Sequence, residues 1–181
     1  ALLRRYKHRC EWFQRDRLLG IWKSNTGSGE RSLAAGLYEY LYDQGIEFSI
    51  QPSSASGAVD LVAAQEEGKE RLIADAKVFN LEKGKGYIVK AFSQIYQYTL
   101  DYNQPFGYLV IFKTCEEDLK FPLAGQEQST PFVIHNNKTI FFLVIDICAH
   151  QKTASQRGQL KVVEITDAEL VKCPADNDSA F

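Results

Sequence analysis

Between Gly57 and Lys77 the chain reads GAVDLVAAQEEGKERLIADAK, and Asp60, Asp75 and Lys77 carry side chains that could do chemistry together. Ala58–Ala64 and Arg71–Phe79 have the apolar content of strands, and Gln65–Glu70 is a polar turn between them. Counting outward from a turn centred between Glu67 and Gly68 sets Asp60 opposite Asp75. Opposed residues on one face of an antiparallel pair lie about 5 Å apart, and like charges there repel. Asp75 and Lys77 are two apart on one strand and so share a face. Two carboxylates and one amine would then meet on one face of otherwise apolar strands. A cation held between the carboxylates would turn repulsion into binding. The alternative is an edge-strand ion pair of Asp75 and Lys77, worth ~0–1 kcal/mol when exposed, with Asp60 merely starting its strand.

Flanking elements must hold that face in place. A helix is expected over Glu30–Gln44, with Leu33, Ala34, Leu37, Tyr40 and Leu41 as its apolar stripe and Gly45 as its stop. Glu30 lies in its first turn, where the helix dipole favours an acid. It also points with the stripe, and a core-facing carboxylate needs a partner. Ile46–Gln51 alternates as a strand, and Pro52–Gly57 is a loop into the hairpin. After the loop Asn80–Gly86 a second helix is expected over Tyr87–Tyr102, with Ile88, Ala91, Phe92, Ile95, Tyr96 and Thr99 on one face. Gln94 and Tyr98 sit one turn apart at the border of that face, and Lys90 one turn earlier on the same line. Phe106–Lys113 is continuously apolar, as a strand covered on both sides should be. Thr114–Thr130 reads as a polar surface excursion. Pro131–His135 is a short strand, Thr139–Cys148 a buried one and Gln159–Thr166 an edge strand. Ala175–Phe181 carries no fold signal.

A chain of 181 residues, 45% hydrophobic and 24% charged, is enough for a globular domain with a full core. The net charge of −2 neither favours nor excludes a nucleic-acid partner, because a basic cleft can hide in a near-neutral total. No apolar run approaches the ~18–20 residues of a membrane span, and no signal peptide is visible, so a cytoplasmic protein without a membrane partner is expected. Cys10, Cys115, Cys148 and Cys173 form no CxxC and read as free thiols, while His8, His135 and His150 have no metal-ligand spacing. Leu2–Trp22 is expected to be one helix, with Arg4, Arg5, Lys7, Arg9, Arg15 and Arg17 along it. Those charges suit a phosphate-contacting surface, a solvated face, or a connector from an upstream domain. The expected division is 1–28 as N-terminal helix and linker, 29–170 as the main domain and 171–181 as tail. Opening directly in a charged helix is expected of a trimmed chain or of one piece of a larger protein.

Helix, three strands, helix, strand, carrying Glu30, Asp60, then Asp75-Ala76-Lys77, then Gln94 and Tyr98, resembles the PD-(D/E)XK nuclease superfamily over Glu30–Phe112. Val59 stands where the family's name has proline, and Asp75 takes the acidic position that glutamate can also fill. The resemblance implies an α/β, restriction-endonuclease-like core: a central mixed β-sheet flanked by helices. It implies a Mg²⁺-dependent hydrolase of phosphodiester bonds, with Mn²⁺ able to substitute. On that pattern Asp60 and Asp75 are metal ligands, with the Ala76 carbonyl beside them, and Glu30 holds a water or a second ion. Lys77 orients or activates the attacking water and neutralises phosphate. Gln94 hydrogen-bonds that water or the phosphate, and Tyr98 and Lys90 face the substrate. The implied partner is nucleic acid, DNA before RNA, in a homodimer or a larger multidomain protein of the prokaryotic defence or DNA-processing kind. Two other readings stay open: a catalytically inactive domain of this fold used for nucleic-acid binding or as a scaffold, and an unrelated module whose hairpin carries these charges by accident. Target choice would fall to the loops Thr114–Thr130 and Asn80–Gly86 or to a partner chain.

Overall fold

A computed structural model describes residues 1–25, 27–46, 72–122, 130–150 and 158–172, and the backbone of 49–50 and 61–63. Its centre is the apolar run FGYLVIFK, strand β4 (Phe106–Lys113), which has a parallel neighbour on each side. On one side lies β3 (Leu72–Phe79), with Asp75 opposite Leu109 and Lys77 opposite Ile111. On the other lies β7 (Lys138–Asp146), with Ile111 opposite Val144 and Lys113 opposite Asp146. Parallel neighbours need a long crossover. Between β3 and β4 it is helix α4 (Gly84–Asp101). The sheet is finished by antiparallel strands: β1 (Ser49–Ile50) and β2 (Leu61–Ala63) beyond β3, and β6 (Phe132–His135) beyond β7. The order β1-β2-β3-β4-β7-β6 is a central mixed sheet, as expected.

Strand alternation divides the core in two. Ala74, Ala76, Val78, Val110, Phe112 and Ile145 face α1 (Leu2–Phe13), α2 (Arg15–Ser24) and α3 (Gly29–Asp43). Ile73, Phe79, Leu109, Ile111 and Phe142 face α4 and α5 (Asp167–Lys172). The chain is therefore a mixed α/β protein whose sheet is flanked by helices. At the end of α3, Gly45 adopts φ 80°, its N–H bonds the Tyr42 carbonyl at 2.8 Å and the Ile46 N–H bonds the Leu41 carbonyl at 3.1 Å. This is a left-handed cap that glycine adopts without strain. Among the described residues no helix is long and apolar enough to cross a membrane. Cys10, Cys115 and Cys148 are free thiols, and burial pushes Cys10 and Cys115 up to about 11. Cys173, like the tail Ala175–Phe181, lies outside the described residues.

Several elements differ from the sequence expectation. The single helix over Leu2–Trp22 is two, broken at Gln14 (φ −125°, ψ 4°). The cause is packing: α1 lies on β7 and α2 on α3, and one straight rod cannot follow both. The polar excursion Thr114–Thr130 holds a strand, β5 (Asp118–Lys120), paired in parallel with β8 (Val162–Glu164) in a separate small sheet. Leu119 and Phe121 are two apart, so both turn inward, and Phe121 stacks on Phe142 at 4.4 Å. Helix α4 starts at Gly84, ahead of Tyr87, because Asn80 closes a turn: its Oδ1 accepts the Lys83 N–H at 2.8 Å and its carbonyl the Gly84 N–H at 2.9 Å. On α4, Tyr96 is only half-buried and Ser93 is buried instead.

Candidate active site

Strand β3 is buried from Ile73 to Phe79, and two of its buried residues are charged: Asp75 is 1% exposed and Lys77 6%. Ile73 and Phe79 share their face and belong to the core against α4, so the two charges enter the sheet on that side. The Lys77 Nζ lies 2.9 Å from Asp75 Oδ2. The sequence spacing required a shared face, and the strand supplies it.

The edge of β3 shapes the rest. Among the described residues β2 pairs with β3 only at Leu72, Ile73 and Ala74. Its register sets Leu61 opposite Ala74, the same register that the turn count used; Asp60 itself lies outside the described residues. Beyond Ala74 the edge N–H groups turn to carboxylates. The Ala76 N–H donates to Asp75 Oδ1 at 2.7 Å, and the Val78 N–H to Glu30 Oε2 at 2.7 Å. A strand residue points its N–H and C=O to the same side, so the Ala76 carbonyl faces this edge too.

Glu30 reaches β3 from the first turn of α3. Its Oε2 also accepts from Lys83 Nζ at 2.8 Å, and its Oε1 accepts from the Tyr87 hydroxyl at 2.5 Å. Lys83 sits 4.3 Å from the Tyr87 ring centroid and 5.6 Å from that of Trp22. Burial, then the hydrogen bond to Glu30 and the charges of Glu30 and Asp75, hold the Tyr87 hydroxyl protonated well above its ordinary range. Gly29 fixes where α3 begins: a Cβ there would come 2.9 Å from the Trp22 ring and 3.1 Å from its Cα. A side chain at that position would push apart the two helices that aim Glu30.

Asp75, Ala76, Lys77 and Glu30 thus gather along one stretch of β3. Gln94 and Tyr98 form a half-buried pair of their own on α4, the Gln94 Nε2 donating to the Tyr98 hydroxyl at 3.0 Å. Lys90 is exposed one turn earlier. Lys83 and Tyr87 were not singled out in the sequence, although a core-facing Glu30 demanded donors and the segment after β3 was a place to seek them. The Asp75 and Glu30 carboxylates and the Ala76 carbonyl are hard oxygen donors of the kind Mg²⁺ takes. Among the described residues no three His, Cys, Asp or Glu side chains converge as a complete metal centre.

A second ion pair, its lysine buried and its carboxylate half-buried, lies on the same face of the sheet, where β4 and β7 end. Lys113, 3% exposed, sits 3.1 Å from Asp146 Oδ2 and donates to the Cys115 carbonyl at 2.7 Å. Asp146 also takes the Cys148 N–H at 3.0 Å and lies 3.1 Å from His150 Nε2. Burial opposes its ionisation, but Lys113, the Cys148 N–H and His150 outweigh that and hold its carboxyl below the ordinary range. The Asp146 N–H is taken by Glu11 Oε1 at 2.9 Å. The chain matches no protein-family model, no curated protein and no solved structure.

Proposed function

We propose that this chain is a metal-dependent nuclease with a restriction-endonuclease-like core, acting on DNA. One observation carries the reading: a carboxylate and an amine two residues apart are almost fully buried in a core strand, beside an edge whose N–H groups bond side chains instead of a neighbouring strand. Two apolar residues there would be at least as stable, because removing ions from water costs several kcal/mol, roughly, per ion before pairing offsets it. Buried charge beside backbone N–H groups that bond carboxylates therefore favours a chemical role over a stabilising one. The order α3-β1-β2-β3-α4-β4, with Asp75 and Lys77 on β3, supports the same reading.

On this reading the Asp75 carboxylate and the Ala76 carbonyl, with Asp60 of the motif, would hold a divalent cation. When bound, such an ion polarises a phosphate and lowers the pKa of water toward neutrality. Lys77 places a positive charge beside Asp75, where it neutralises an incoming phosphate oxygen and orients the attacking water. Glu30 keeps the edge of β3 in position by holding Val78, Lys83 and Tyr87 together. The Tyr87 hydroxyl, protonated at neutral pH, serves as a donor and not as a base. Gln94, braced by Tyr98, can hydrogen-bond water or phosphate at the border of α4.

The test is incubation of plasmid and single-stranded DNA with Mg²⁺, with Mn²⁺ or with EDTA. Cleavage confined to the metal-containing samples is expected, with Asp75→Asn and Lys77→Ala each slowing it at least ~10²-fold. Lys77→Ala cutting at the wild-type rate removes the role given to that residue. Binding without cleavage under every metal condition would point instead to an inactive domain of the same fold.

A further inference from the structure

The outward face of α1 has no place in the chemistry above. Tyr6 and Cys10 anchor this helix in the core, and its exposed positions form two ladders at i, i+4 spacing. Arg4 and His8 lead to Trp12, and Arg5 and Arg9 lead to Phe13. All six are exposed, Trp12 by 76% and Phe13 by 85%. The carboxylate of this helix, Glu11, faces the other way, paired with Lys7 at 2.7 Å and with the Asp146 N–H. Arg9 lies 5.7 Å from the Tyr40 ring centroid, and Arg4 Nε donates to Thr130 Oγ1 at 3.3 Å. Arg4 and Arg9 are thus braced while remaining exposed. Asp16 and Arg17 follow the break, both exposed.

We propose that this face of α1 docks single-stranded nucleic acid, with Arg4, Arg5 and Arg9 against phosphates and the Trp12 and Phe13 rings stacked on bases. A positive track ending in projecting rings is the combination that single strands recognise. Duplex bases already stack on one another and offer these rings no face. A membrane surface fits less well, because an interfacial helix needs an apolar face free to enter lipid, and that of α1 is committed to the core. The position is also suitable. From the break, α2 runs about 12 Å to Trp22, which Lys83 and Gly29 contact beside Glu30. That span is about three to four nucleotides at the spacing of a stacked strand. The choice of nucleic acid as ligand rests on the nuclease reading; the surface itself rests on exposed side chains.

Trp12 and Trp22 are the two tryptophans of the chain, and Trp22 is buried, so quenching by a stacked base reports on the exposed ring. The full chain is titrated in EDTA with fluorescently labelled oligothymidylate, reading anisotropy and tryptophan quenching. Wild type should bind, with quenching that Trp12→Ala removes. The double variant Trp12→Ala/Phe13→Ala should weaken binding about tenfold or more. Arg5→Ala should flatten the salt dependence. Inorganic polyphosphate should bind without quenching. Unchanged binding by the double variant, equal quenching by polyphosphate, or binding of anionic vesicles without oligothymidylate would each overturn the proposal. Wild type that binds with quenching yet never cleaves sinks the nuclease reading alone. Cleavage that proceeds while the double variant binds normally sinks the docking surface alone.

Discussion

Asp75–Lys77 and Lys113–Asp146 are both lysine–carboxylate pairs, both on the face of the sheet that meets α4, and close in separation at 2.9 Å and 3.1 Å. They differ in what surrounds them. Lys113 and Asp146 sit opposite each other on two central strands, and the groups around them belong to the chain's own turns: the Cys115 carbonyl, the Cys148 N–H and His150. That pair fastens the ends of β4 and β7 to the segments that follow. Asp75 and Lys77 lie within one strand, next to backbone groups that have left the ladder. Pairing alone therefore does not mark a site. What separates the two pairs is the burial of both partners in the first and the neighbouring backbone, where the Ala76 and Val78 N–H groups bond carboxylates.

Four experiments would break or sharpen that contrast. Replacing each lysine by methionine should separate the roles most widely: Lys77→Met lowers the rate of metal-dependent plasmid nicking ~10²-fold or more, whereas Lys113→Met leaves it within a small factor. If both abolish nicking with the fold intact, the contrast is lost. Asp146→Ala should cost about 3–5 kcal/mol in urea unfolding, because it strands the buried Lys113 charge. The Asp146 carboxyl lies below its ordinary value when folded, so its stabilisation is present above about pH 3.9 and is lost as pH falls through the depressed folded value. The stability gap between wild type and Asp146→Asn should be widest near neutrality and close in acid. Last, Glu30→Gln keeps an acceptor for Val78 but removes the charge facing Lys83. A charge-assisted bond is roughly twice as strong as a neutral one, so nicking should slow only a few-fold, ~1 kcal/mol.

Legibility in the sequence followed the range of each interaction. The strand Phe106–Lys113 was readable to the residue, because a continuous apolar run opens after Pro105 and ends on a charge. The shared face of Asp75 and Lys77 follows from a two-residue spacing, and the β2–β3 register from a symmetric turn count. β5 was hidden because Asp-Leu-Lys is too short to show a period. α5 went unread although Thr166 and Glu169 make a capping box, the Glu169 N–H reaching Thr166 Oγ1 at 3.3 Å and the Thr166 N–H reaching Glu169 Oε2 at 3.0 Å. The partners of Glu30 depend on where α3 lands on β3, and Lys113 meets Asp146 only through the β4–β7 register. No local pattern encodes either contact.

Glu11 and Lys7 join the first helix to β7, Lys7 through the Val144 carbonyl and Glu11 through the Asp146 N–H. These contacts link residues 137 and 135 positions apart. On the ribosome α1 can meet α3 early, through Tyr6 and Tyr40, but cannot complete its contacts until β7 has emerged. Closing so large a loop is slow, so the α1–β7 contacts are expected to form late in refolding.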